Sequence, residues 1–138
     1  MGSKFSVARM RKELANQTMT SVATSGDTTV GSGLVLSDVA SANLTALGST
    51  VNDSVTITNH VTNVSGAANT GVKFATTATS GEVYVLSNVG TANVLVYATG
   101  SETLNGVAAG TGLVLSASTG AVAVKSGATN WAFIYSRV

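Results

Sequence analysis

Residues 82–98 read EVYVLSNVGTANVLVYA. In an extended chain successive side chains point to opposite faces. Val83 and Val85 therefore oppose Tyr84 and Leu86, while Val94 and Val96 oppose Leu95 and Tyr97. Gly90-Thr91-Ala92 lies between the two runs and marks a turn. The reading is two short strands, each apolar on both faces. A two-layer domain covers one face of each sheet, so the second face calls for another apolar surface, which a partner chain would supply.

The same texture extends in both directions. Hydrophobic residues make up 44% of the chain but aromatics only 5%, so the apolar content is mostly Val and Ala. Val and Thr are β-branched and suit a pleated surface better than a helix. Fifteen glycines provide turns and proline is absent. Strands are expected near 20–24, 29–36, 53–64, 71–75, 82–88, 93–98, 112–116, 120–126 and 130–137. Turn signals such as Ser80-Gly81, Asn105-Gly106 and Ser126-Gly127 separate them. DSVTITNHVTNV at 53–64 reads as one half-buried strand, with Val55 and Ile57 on one face and Thr56, Thr58 and His60 on the other. In the last strand Trp131, Phe133 and Tyr135 share a face opposite Ala132 and Ile134. Large aromatics in such a stripe belong to a core or an interface.

GSGLVLS at 31–37 is echoed by GTGLVLS at 110–116, and SDVASANLTA at 37–46 by SNVGTANVLV at 87–96. The offsets differ (31 to 110 against 37 to 87), so these words make no tandem repeat and are no basis for a solenoid. The expected class is all-β: an antiparallel sandwich or barrel, jelly-roll-like, over 19–138, preceded by a short N-terminal helical arm over 1–18.

Only 9% of residues are charged, far below the ~25% usual for soluble domains. Such a chain has few charges to keep its strand edges from pairing with neighbours. The arm is basic: Lys4, Arg9, Arg11 and Lys12 all precede the first acidic residue, Glu13. Val7, Met10 and Leu14 fall on one helical face over 4–17. A helix this short is marginal alone, so it either folds back on its own domain, frays, or reaches an acidic surface on a neighbour. Four basic charges without interleaved aromatics do not indicate nucleic acid. No apolar run is long enough to span a membrane, and the first 17 residues lack the apolar segment of a signal peptide.

Catalytic chemistry is not expected. His60 is the single histidine, and the sequence offers it no local acidic partner after Asp53. One His, no Cys and scattered carboxylates make no transition-metal site within one chain, and no calcium loop occurs. Gly31-Ser32-Gly33 and Gly110-Thr111-Gly112 lack the spacing of phosphate loops. No cofactor is expected.

Five segments in order carry a resemblance: Gly71-Val72-Lys73, the run from Gly81 to Gly90, Val94-Leu95-Val96-Tyr97, Asn105-Gly106, and Ser126-Gly127 leading to Trp131. Residues 69–135 thereby resemble a β-module of tailed-bacteriophage virion proteins. The family often places Pro after the position of Tyr97, where this chain has Ala98. The resemblance implies a capsid decoration (cement) protein, or a fibre-base part, commonly a homotrimer. It implies partners in further copies and the major capsid protein, and a place on the capsid surface after synthesis in the host cytoplasm. Lys4, Arg9, Arg11 and Lys12 are the expected contacts to a partner. Tyr84, Leu86, Leu95, Tyr97, Trp131, Phe133 and Tyr135 are expected in self-assembly or core. The alternative is a receptor- or glycan-binding tip domain of a tail fibre.

Overall fold

A computed structural model describes residues 43–135. The arm with Lys4, Arg9, Arg11 and Lys12, and the strands expected at 20–24 and 29–36, lie outside these residues. The described part is built from ten strands and no helix, as the Val/Thr-rich composition requires. They are β1 (Leu44–Ala46), β2 (Val55–Thr56), β3 (Val61–Gly66), β4 (Gly71–Lys73), β5 (Val83–Asn88), β6 (Val94–Tyr97), β7 (Thr103–Leu104), β8 (Leu113–Leu115), β9 (Gly120–Lys125) and β10 (Asn130–Tyr135).

The first six strands wind like a coil. Odd-numbered members enter a six-stranded sheet of order β1-β3-β5-β9-β10-β7, and even-numbered members a four-stranded sheet of order β2-β4-β6-β8. Each turn of the coil lays its strands parallel to those of the turn before, so β1-β3-β5 and β2-β4-β6 are all parallel. After β6 the winding stops. β8 runs antiparallel to β6, β9 to β5 and β10 to β9, and β7 closes the edge parallel to β10.

The class is all-β as expected, but the sheets are mixed and solenoid-like rather than antiparallel. The repeated words of the sequence, with their unequal offsets, do not announce this winding. Its period is not that of the repeated words. Val61 pairs with Val85 and Gly71 with Leu95, 24 residues apart in both sheets. The earlier turn is shorter, with Leu44 opposite Val64 and Val55 opposite Val72. Between the two regular turns little sequence recurs beyond Gly66-Ala67-Ala68-Asn69 and Gly90-Thr91-Ala92-Asn93.

The strand expected over 53–64 is broken in two. Thr58 Oγ1 donates to Asn59 Oδ1, and Thr62 Oγ1 donates to the Asn59 carbonyl. Such local side-chain bonds favour a turn over a continuous ladder. The chain therefore changes sheets between β2 and β3; Ile57 and Val64, both fully buried, reach the core from opposite sides of the break.

The two sheets enclose one apolar core. Tyr84, Leu86, Ala121, Ala123, Trp131 and Phe133 come from the larger sheet, and Val72, Phe74, Val94, Val96 and Leu115 from the smaller sheet or its margin. Phe74 stacks on Trp131 with ring centres 4.1 Å apart, and Tyr84 meets Trp131 edge-on at 5.7 Å.

Asn105-Gly106 turns as expected, both residues at positive φ (50° and 74°). The Asn105 side chain then imitates a peptide unit. Its Oδ1 accepts from the Phe133 N–H and its Nδ2 donates to the Phe133 carbonyl, both at 2.8 Å, continuing the β7–β10 pairing past the end of β7.

Tyr97 is buried on the other side of the smaller sheet from the core. Its ring lies over Gly71 and Gly112, where a Cβ would stand 2.6 Å and 2.8 Å from ring carbons, and its hydroxyl donates to the Ser49 carbonyl at 2.8 Å. Burial raises its pKa above the ordinary tyrosine value. Gly71→Ala is expected to destabilise by about 1–3 kcal/mol, the usual cost of overpacking. A new methyl there would also meet Ser54 Oγ at 2.5 Å. Urea denaturation of the variant checks this, and an unchanged midpoint would show that the ring moves aside freely.

Candidate functional site

The outward face of the larger sheet is the most distinctive surface of the described residues. Strand register aligns Val61, Val85, Val122 and Ile134 in one row across β3, β5, β9 and β10. Val83, Val124 and Ala132 form the next row. Ile134 is 67% exposed, Val83 41% and Val122 37%, and the other four are half-buried. No charged side chain interrupts the two rows. Asn63, Ser87 and Gly120 then end the apolar surface on one side. Strands apolar on both faces are expected at 82–88 and 93–98; of these, β5 presents Val83 and Val85 on this surface, and β9 and β10 extend it.

The residues expected in self-assembly or core are not on that face. Tyr84, Leu86, Trp131 and Phe133 point into the core, and Tyr97 is buried on the other side of its sheet, its hydroxyl bonded to Ser49 in the β1–β2 connection. Leu95 is half-buried, and Tyr135 packs half-buried against the core beside Phe133. The exposed members of the outward rows are the residues opposite them. Strict alternation along EVYVLSNV, AVAVK and NWAFIY carries that information once the inner face is known.

Beneath the sheet lies a charged cluster that the sequence did not advertise. Lys125 is 2% exposed and forms an ion pair with Glu102 Oε1. Trp131 Nε1 donates to Glu102 Oε2 at 2.7 Å, and the Lys125 ammonium stands 4.9 Å from the Trp131 ring centre. Lys125 shares the inward phase of Ala121 and Ala123 and sits opposite Trp131 in the ladder. Glu102 comes from the loop before β7. Every polar end is partnered, as a buried pair demands. Through Glu102 the cluster ties the loop before β7 to β9 and β10.

His60 does have an acidic neighbour, supplied by the fold rather than by local sequence. Its Nε2 lies 3.7 Å from Glu82 Oε2, and its ring stacks on Tyr84 at 4.7 Å. Glu82 also accepts from the Thr79 N–H at 3.0 Å, the Thr79 hydroxyl at 2.8 Å and the Tyr84 hydroxyl at 2.8 Å. These bonds, led by the Thr79 amide, hold its carboxyl below the ordinary glutamate pKa despite partial burial. A depressed folded pKa stabilises the fold above the unfolded value near 4.5 and is lost as pH falls through the folded value. Glu82→Gln is expected to flatten the acid limb of a thermal-melting series taken below pH 5. An unchanged limb would assign acid sensitivity to other carboxylates.

Among the described residues no group of three His, Cys, Asp or Glu side chains is placed to hold a metal ion. No helix there is long and apolar enough to cross a membrane. Comparison with protein-family models, with curated proteins and with solved structures finds no match.

Proposed function

We propose that this chain is a structural virion protein, a capsid decoration protein that associates with copies of itself and clamps the head shell through many weak contacts. The observation that carries the reading is the uncharged double row on the outward face of the larger sheet. Rows of four and three side chains, about 4.8 Å apart across the strands and about 6.8 Å along them, give a face of roughly 230 Å². That is no larger than the apolar patches of an ordinary monomer, and falls well short of the ~800 Å² per partner of a stable pairwise complex. One such contact is weak, whereas copies joined on a lattice gain by effective concentration, by a factor on the order of 10²–10⁴.

In this reading the facing sheets act as a sandwich whose inner faces make the core and whose larger outer face meets the next copy. A homotrimer would present three arms, with Lys4, Arg9, Arg11 and Lys12 meeting an acidic surface of the major capsid protein. Residues of the resemblance to phage virion modules have structural tasks that suit a rigid part. Gly71 lies under Tyr97, Asn88 bridges from β5 to the carbonyls of Ala92, Leu115 and Ser116, and Trp131 centres the aromatic stack. No catalytic step, metal or cofactor enters the reading.

Density-gradient fractionation of a phage lysate containing the chain, probed with an antibody against it, tests the placement. The chain is expected to band with the particles. Its recovery only among soluble proteins would refute the virion reading.

A further inference from the structure

β7 lies at one edge of the larger sheet and is only two residues long. Pairings with so little buried contact open more readily than the rest of a fold. The turn that follows, Asn105-Gly106, is exposed and is the only Asn-Gly pair in the chain. Every other asparagine precedes a residue with a side chain. The difference is chemical. The backbone nitrogen after an asparagine can attack the side-chain amide carbon, and glycine, having no Cβ, obstructs that approach least.

The fold holds the reaction back. Asn105 Nδ2 donates to the Phe133 carbonyl and Oδ1 accepts from the Phe133 N–H, both at 2.8 Å, so the amide lies along β10. On the backbone, the Asn105 N–H donates to the Trp131 carbonyl at 2.9 Å. The Val107 N–H closes the turn on the Leu104 carbonyl at 2.8 Å. For Cγ to reach the Gly106 nitrogen, the side chain must leave Phe133 and give up both of its bonds.

We infer that Asn105 is a deamidation site which the β7–β10 pairing keeps closed, and that its conversion releases this edge irreversibly. In the reaction the Gly106 nitrogen bonds to Asn105 Cγ. The side-chain nitrogen leaves as ammonia, taking the proton of the Gly106 amide. Water then opens the five-membered imide at either carbonyl, which leaves aspartate or isoaspartate. One water is consumed and one ammonia released, with no change of oxidation state. Neither product restores the original contacts. A carboxylate has no donor for the Phe133 carbonyl, and isoaspartate adds a methylene to the backbone at the turn. Glu102 enters from the loop before β7, so a loosened edge also weakens its hold on Lys125 and Trp131. Neither the apolar rows nor the N-terminal arm takes part.

The test incubates the whole chain in mildly alkaline buffer, folded and in guanidinium chloride, and follows each asparagine by peptide mass mapping. The unfolded chain is expected to convert first at Asn105. The folded chain is expected to convert there about ten- to a hundredfold more slowly, the factor for breaking two hydrogen bonds. Asn105→Asp reproduces one product directly. Its amide exchange at Thr103, Asn105 and Phe133, whose N–H groups donate to Thr129, Trp131 and Asn105 in the wild type, is expected to quicken by about tenfold. The wild-type rates require no variant to fold, so they decide the protection by themselves. Equal rates in the folded and unfolded chain, earlier conversion at another asparagine, or unaltered exchange in Asn105→Asp would overturn the assignment.

Discussion

Glu102→Ala is expected to destabilise the fold by about 3–5 kcal/mol, the cost of leaving a buried charge without its partner. Lys125, 2% exposed, would lose its carboxylate partner, and the Trp131 N–H would lose its acceptor. A domain of this size has a total stability of roughly 5–15 kcal/mol, so the variant sits near the limit of folding. The melting temperature is expected to fall by roughly 15–30 °C, at several degrees per kcal/mol. The cause is separable from loss of packing. Glu102→Leu combined with Lys125→Met removes both charges and is expected to recover most of the loss, because a well-packed apolar pair often equals a buried ion pair. Guanidinium denaturation of the single and double variants reads the difference. If the single variant melts with the wild type, Lys125 must reach solvent and the cluster is not closed.

Trp131→Ala is expected to cost a similar amount, about 3–5 kcal/mol, from lost transfer energy plus a cavity between the sheets. The indole is 2% exposed, stacked on Phe74 and in edge contact with Tyr84. Trp131→Phe keeps most of the packing and loses the bond to Glu102, so a loss of about 1–3 kcal/mol isolates the hydrogen bond to a charged acceptor. Trp131 and Glu102 share one network, so the Trp131→Ala and Glu102→Ala losses are expected to sum to more than the double variant shows. Because Trp131 is the only tryptophan, its fluorescence in the Glu102 variant reports the same site directly.

How much of this was legible in the sequence depends on the range of the interaction. Strand identity and phase were local and readable: β4, β5, β6, β8, β9 and β10 all fall within the expected segments, and Trp131 and Phe133 share a face as alternation requires. Asn105-Gly106 signalled its turn through backbone chemistry confined to two residues. Sheet membership was not local. Parallel winding pairs Val61 with Val85 and Gly71 with Leu95, and a parallel ladder asks only for apolar residues in phase, not for repeated words. The break at Thr58-Asn59 was hidden because β-branched residues favour strands while their hydroxyls can still cap a turn. The pairs Glu102–Lys125 and His60–Glu82 join residues more than twenty positions apart, so neither had a signal at fixed spacing. The outward rows were half-readable: the strands were seen to be apolar on both faces, but which face the core would take needed the second sheet.

The central claim is that the outward valine and isoleucine rows join copies of the chain. Light scattering across a dilution series, comparing the wild type with a Val122→Glu and Ile134→Glu double variant, tests it most directly. The account predicts a wild-type mass that rises with concentration from the 13.7 kDa chain towards three times that value, and a variant that runs as a single chain at every concentration. A wild type that is monomeric throughout the series, or a variant that keeps the oligomeric mass, would contradict it.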